Sequence, residues 1–161
     1  MYIKQKRALL TLVMLTILLS LGTACSNDST YPPEPINPEV DVCAVCNMSL
    51  VHDEHITQLI TKDKTAYKFD DIGCMVQFIE AGEKNGLDLG AVYVKDADNN
   101  QWIEWNDAIH VYHPDIWTPM AYGVVSFSSE ESARKYIQEY PDAELFTTPQ
   151  LFEHNWFEIV K

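Results

Sequence analysis

The chain has 161 residues, 47% of them apolar and 11% aromatic, enough to bury the core of one compact domain and too few for two large ones. With 11 Lys and Arg against 24 Asp and Glu the formal net charge is −13, which repels phosphate backbones and excludes nucleic acid as a partner. Cations, or proteins with basic faces, suit such a surface better.

Residues 1–24 read as a secretory signal peptide. Lys4, Lys6 and Arg7 precede an apolar run over residues 8–19, and Leu21-Gly22-Thr23-Ala24 brings small residues up to Cys25. The run is shorter than the ~20 residues a spanning helix needs. Small residues ahead of Cys25 resemble the lipobox of bacterial lipoproteins, which implies that Cys25 is lipidated and opens the mature chain; an uncleaved anchor helix is the alternative. Either way the domain is expected to be extracytoplasmic, lipid-anchored to the cell membrane in the first case. Residues 25–39 follow as a linker, in which Pro32, Pro33, Pro35 and Pro38 forbid a helix and predict an extended spacer. The folded domain is expected over residues 40–161.

Within that domain strand and helix patterns alternate. Residues 55–61 and 65–69 are β-branched or aromatic runs around the polar turn Lys62-Asp63-Lys64, a hairpin signature. Asp70 or Asp71 caps a helix whose apolar stripe is Ile72, Met75, Val76 and Ile79, stopped by Gly82 and Gly86. Strands are predicted over 91–94, 108–112 and 122–127. Ser128-x-x-Glu131 then reads as a capping box for a second stripe, Ala133, Tyr136, Ile137 and Tyr140, ended by Pro141. The aromatic tail, 145–160, is predicted as one or two strands. Phe69, Phe78 and Ile79 superimpose on Phe127, Tyr136 and Ile137 at one offset, which suggests a duplicated strand-strand-helix unit. The class is α+β, with helices packed on mainly antiparallel sheet.

The chemistry concentrates in Cys43-x-x-Cys46-x-Met48. With Cys25 lipidated, Cys43, Cys46 and Cys74 remain, so at least one thiol stays unpaired. The Cys-x-x-Cys pair admits a redox disulfide, as in a thiol-disulfide oxidoreductase, or a plain structural disulfide. It also admits a structural zinc site with His52 and His55, as in an adaptor module. Met48 tips the balance: a thioether beside a thiolate is a poor zinc ligand and a good one for copper(I). Met120, in Thr118-Pro119-Met120-Ala121-Tyr122-Gly123, is similarly placed at the mouth of a strand; the alternative is that both methionines fill gaps. His110-x-x-His113 reads more as surface imidazole than as ligand, and Cys74, beside the helix stripe, reads as a buried inert thiol. Asp70-Asp71 reads as a helix cap rather than an acid-base pair. No catalytic triad order, phosphate loop or cofactor fingerprint appears, so the chain reads as a binding protein and not an enzyme.

Three segments, Cys43-x-x-Cys46-x-Met48, Tyr67-Lys68-Phe69-Asp70-Asp71-Ile72-Gly73-Cys74, and Thr118-Pro119-Met120-x-x-Gly123 with Phe127, together resemble the NosL family of copper-binding lipoproteins, named for accessory proteins of nitrous oxide reductase. The family commonly has Gly where Asn47 stands; Asn tolerates left-handed backbone angles well enough to keep the same turn. The resemblance implies two strand-strand-helix-strand units and a chaperone that carries one copper(I) outside the cytoplasm. The implied acceptor is a cuproenzyme, nitrous oxide reductase, with a membrane copper transporter as a further partner. It implies Cys46, Met48 and Met120 as metal ligands, Cys43 next, and His52, His55, His110, His113 and Cys74 as secondary candidates. Zinc is the alternative metal.

Overall fold

The computed structural model describes residues 30–156; the expected signal peptide and Cys25 lie outside the described residues, as does the end of the tail. Strands β1 (Thr57–Thr61) and β2 (Ala66–Phe69) form the predicted hairpin, with Thr57 opposite Phe69. Helix α1 (Ile72–Glu83) follows, β3 (Leu89–Lys95) returns antiparallel beside β1, and β4 (Trp102–Glu104) extends the sheet to the order β2-β1-β3-β4. The pattern then repeats. Strands β5 (Ile109–Tyr112) and β6 (Val124–Phe127) pair with Ile109 opposite Phe127, helix α2 (Glu130–Tyr136) follows, and β7 (Glu144–Phe146) returns beside β5. The second sheet has the order β6-β5-β7. In both units the first strand ends in the middle, between its hairpin partner and the strand that follows the helix. The fold is α+β; the duplicated strand-strand-helix unit suggested by three matched positions is present, with the fourth element, a closing strand, that the family resemblance implies.

The helices form where capping and apolar spacing agree. Asp71 is the N-cap of α1, accepting from the Gly73 N–H, and Ile72, Met75, Val76 and Ile79 are buried against the first sheet. Past α1 the chain turns through Gly86 at φ +81°. In α2 the cap is Ser129, not Ser128: the Ser129 hydroxyl accepts from the Ser132 N–H, while the Ser128 hydroxyl donates to Asp96 at 2.5 Å. A nearby carboxylate thus claimed one serine and left the next to start the helix. Ala133 is buried, and Tyr136, Ile137 and Tyr140 pack against a second cluster of Val111, Ile116 and Phe127.

Three further differences from expectation have local causes. The short strand β4 lacks the alternating run that would announce it. The tail is not all strand: after β7 it forms helix α3 (Thr148–Glu153), started by a reciprocal capping box between Thr147 and Gln150 with Pro149 in its first turn. Leu151 and Trp156 join the main core from there. The proline-rich stretch is extended but docked, so the packed domain starts near Tyr31 rather than Val40. Glu34 exchanges two backbone hydrogen bonds with the buried Gln58 side chain on β1 (2.9 and 2.6 Å), and Ile36 packs on the core. Among the described residues no helix is long and apolar enough to cross a membrane.

Candidate metal centre

The two units differ in the segments that carry sulfur. Before β1, residues 43–48 form a turn closed by Cys43 N–H donating to the Met48 carbonyl (2.8 Å) and Asn47 N–H to the Cys43 carbonyl (3.0 Å). Asn47 takes φ +61°, the left-handed angle a glycine would supply. Ala44 N–H donates to the Lys68 carbonyl (2.9 Å), which pins the turn to β2 just ahead of Asp70. The second unit has a longer hairpin loop over residues 113–123 in place of the short turn at 62–65. That loop lies on the start of α1: Met120 N–H donates to Asp71 Oδ2 (3.0 Å), and the Tyr122 ring packs where a Cβ on Gly73 would stand. Gln77 donates to the Tyr122 hydroxyl (2.5 Å). Both loops therefore converge on the N-terminus of one helix.

There the structure gathers Cys43, Cys46, Cys74 and Asp70, with one donor atom of each within 4.8 Å of the others. Cys43 and Cys74 are fully buried, Asp70 nearly so, and Cys46 half-buried; all three cysteines are free thiols. Cys46 Sγ donates to Asp70 Oδ2 at 3.2 Å. The thiols are tightly coupled. A hydrogen bond from Cys74 lowers the Cys43 value and raises that of Cys74, while burial first of all pushes Cys46 up. Cys43 is thus the one thiol of the three whose value is lowered. Burial pushes the neighbouring Asp71 up to about 6, against the pull of Thr118, Met120 N–H and Gly73 N–H. Among the described residues no ion pair involves Asp70 or Asp71. A buried set of soft sulfurs and uncompensated carboxylates favours a positive charge.

The other candidates divide clearly. Met120 is half-buried and packs on the core cluster that contains Cys43 and Cys74, whereas Met48 is 47% exposed at the tip of its turn. His52 and His55 do not join the cysteines. His52 precedes and His55 ends the turn Asp53–His55, and both meet the exposed Trp117 ring edge-on, at 4.9 and 5.4 Å. The zinc constellation of Cys43, Cys46, His52 and His55 is therefore not assembled, because the chain between the pairs runs on toward β1 instead of folding back. His113 accepts from Asp115 N–H and packs on Tyr140. His110 is a core residue on β5 and not surface imidazole, with both ring nitrogens held by Ser126 (2.9 Å) and Thr148 (3.3 Å). Cys74 is buried as expected, but its sulfur lies within 4.8 Å of the other two, and Asp70 joins them while Asp71 alone caps the helix. Cys74 and Asp70 lie four residues apart across the helix start, a spacing compatible with one face, which was the available signal.

His110 has a consequence for stability. Burial lowers it from 6.5 to about 4, so folding favours the neutral ring. Its contribution is complete above about 6.5 and is lost as the pH falls toward 4, about 3 kcal/mol in all. Asp71, shifted the other way, gains over part of the same range, so the readout is a difference between proteins. His110→Gln is expected to lose less stability than wild type between pH 6.5 and 4 in urea unfolding; parallel curves would contradict this.

Two small antiparallel sheets, each carrying a helix, with sulfur and carboxylate donors gathered where the first helix begins, define a duplicated α+β domain equipped to hold a metal ion. The NosL family model matches residues 35–146, and the chain belongs to that family. The crystal structure of the copper chaperone NosL from Shewanella denitrificans is similar in fold, with a TM-score of 0.64 and 20% sequence identity over 74% of this chain and 95% of that one. No curated protein matches the chain significantly.

Proposed function

We propose that this protein is a copper(I) chaperone that binds one ion through Cys46, Met48 and Met120, with Cys43 as a further ligand, and passes it to a cuproenzyme. Nitrous oxide reductase is the acceptor suggested by the family name. The observation that carries the reading is the convergence of the Cys43–Met48 turn and the Met120 loop on one helix start inside a NosL domain. Soft thiolate and thioether donors suit copper(I). An exposed Met48 leaves one side of the ion open to an acceptor, so this is binding and delivery rather than catalysis. Met48→Leu and Met120→Leu nearly conserve volume and are expected to cost under about 1.5 kcal/mol in stability each. Copper(I) affinity, read by competition with a chromophoric chelator, is expected to fall by a larger factor in both, with one sulfur scatterer lost in X-ray absorption. Wild-type copper binding by both, with a disulfide reductase activity removed by Cys43→Ser, would establish the thiol-redox alternative instead.

Delivery from a membrane surface completes the proposal: Cys25 carries lipid that anchors the chain. Each buried methylene of such an anchor contributes ~0.8 kcal/mol. Cys25→Ser is expected to leave the membrane fraction, and unchanged partition would favour an uncleaved helix.

A further inference from the structure

The donor group in the structure is not the ligand set of the preceding proposal. It shares Cys43 and Cys46 with it, leaves out both methionines, and adds Cys74 and a carboxylate. Two independent observations bear on what it takes. The first is its shape. Around a tetrahedral zinc ion, sulfur donors at about 2.3 Å stand about 3.8 Å apart and an oxygen donor at about 2.1 Å stands about 3.6 Å from each sulfur. Here all four lie within 4.8 Å of one another and the Cys46–Asp70 pair is at 3.2 Å, so closing on an ion requires less than a side-chain rearrangement. The second is Asp70 itself. It is 3% exposed, yet its Oδ1 has no hydrogen-bond partner among the described residues. A buried carboxylate oxygen left unpaired costs its desolvation without return, and a cation satisfies it.

We propose that Cys43, Cys46, Cys74 and Asp70 form an inner metal seat for a divalent borderline cation of the zinc class, beneath the sulfur-only copper set. The carboxylate decides the class. A hard oxygen adds little for copper(I), whereas three thiolates and one carboxylate make an ordinary tetrahedral zinc donor set. Thiols that bind as thiolates release their protons to water, and no electron changes hands. Because Cys43 and Cys46 serve both sets, the two ions exclude each other: copper(I), the softer ion, expels zinc as it is loaded. A chaperone waiting for cargo would thereby keep its thiols covered.

The test uses the full chain, reduced and anaerobic, with zinc(II) alone as the first probe. One equivalent of zinc is expected to bind, with three sulfur and one oxygen scatterer at the zinc edge. Cys74→Ala and Asp70→Asn should each weaken zinc binding tenfold or more, while Met48→Leu and Met120→Leu leave it unchanged. Copper(I) titrated into the zinc form should release one zinc per copper. Unfolding of the metal-free variants serves as the control; if Cys74→Ala does not fold, Asp70→Asn and the scatterer count decide. Zinc binding indifferent to Cys74 and Asp70, or dependent on the methionines, overturns the inner seat. Methionine-dependent copper binding with no zinc binding at all leaves the chaperone reading in place and removes only this one. Zinc binding as described with no copper binding does the reverse.

Discussion

Exchanging Cys46 for serine is expected to remove copper binding almost entirely, the largest effect of any single side chain. Serine is nearly isosteric and still donates to Asp70 Oδ2, where the thiol donates at 3.2 Å, so the half-buried position keeps its hydrogen bond and the fold should change by about 1 kcal/mol or less. What disappears is the soft donor. A neutral hydroxyl does not replace a thiolate at a copper(I) ion. Affinity is expected to drop by about a hundredfold or more, equivalent to ~2.8 kcal/mol, in anaerobic chelator competition. Cys46 is also common to the outer copper set and the inner seat, so zinc binding should weaken with it. Cys74→Ala, by contrast, should spare the outer copper set. A Cys46→Ser protein that binds copper like wild type would show that the ion sits elsewhere.

The second large effect is on stability, at Gly123. This residue holds φ +66° at the foot of the 113–123 loop, and a Cβ added there would collide with the backbone carbonyl of His113. That contact closes the base of the hairpin, since His113 N–H donates to the Gly123 carbonyl at 3.0 Å. A backbone carbonyl cannot rotate away as a side chain can. Gly123→Ala therefore adds a clash to the left-handed strain, and roughly 2–4 kcal/mol of destabilisation is expected. Gly86 is the internal comparison: φ is +81°, but nothing lies within 4 Å of its added Cβ. Gly86→Ala should cost only the strain, about 1 kcal/mol. Denaturant midpoints of the two variants separate the effects; equal losses would mean that the collision is relieved at no cost. Because the Gly123 loop holds Met120 against Asp71, copper affinity should fall in Gly123→Ala and not in Gly86→Ala.

The repeating part of this protein was legible in its sequence because each signal there is local. Ile72, Met75, Val76 and Ile79 fall on one helix face whatever surrounds them, the turn at 62–64 sits between two β-branched runs, and the two half-units repeat with one offset. Of the two expected stop signals, Gly86 turns the chain after α1, whereas Gly82 lies inside the helix, which runs on to Glu83. The misread elements depended on neighbours distant in the chain. Ser128 looks like a cap until Asp96 claims its hydroxyl, and the proline-rich stretch looks like a free spacer until Gln58 binds Glu34. Helix α3 has a local signal in Thr147, Pro149 and Gln150, while the aromatic residues around it favour strand.

By itself the sequence determined the class of the chain, the order of its units, the clustering of the soft sulfur side chains Cys43, Cys46 and Met48, and the resemblance to the NosL family. Those properties rest on residue type, spacing and periodicity, which survive any tertiary arrangement. Only the tertiary structure decided which donors meet. Cys74 looked inert and Asp70 looked like a cap, because a helix start presents either of two adjacent carboxylates inward, and sequence does not say which. In the fold Asp71 turns to Gly73 and Met120, leaving Asp70 to face the thiols. His52 and His55, close to the cysteines in sequence, end against Trp117, and His110 ends in the core between Ser126 and Thr148. Proximity along the chain constrains distance but not direction, and a metal site is set by direction.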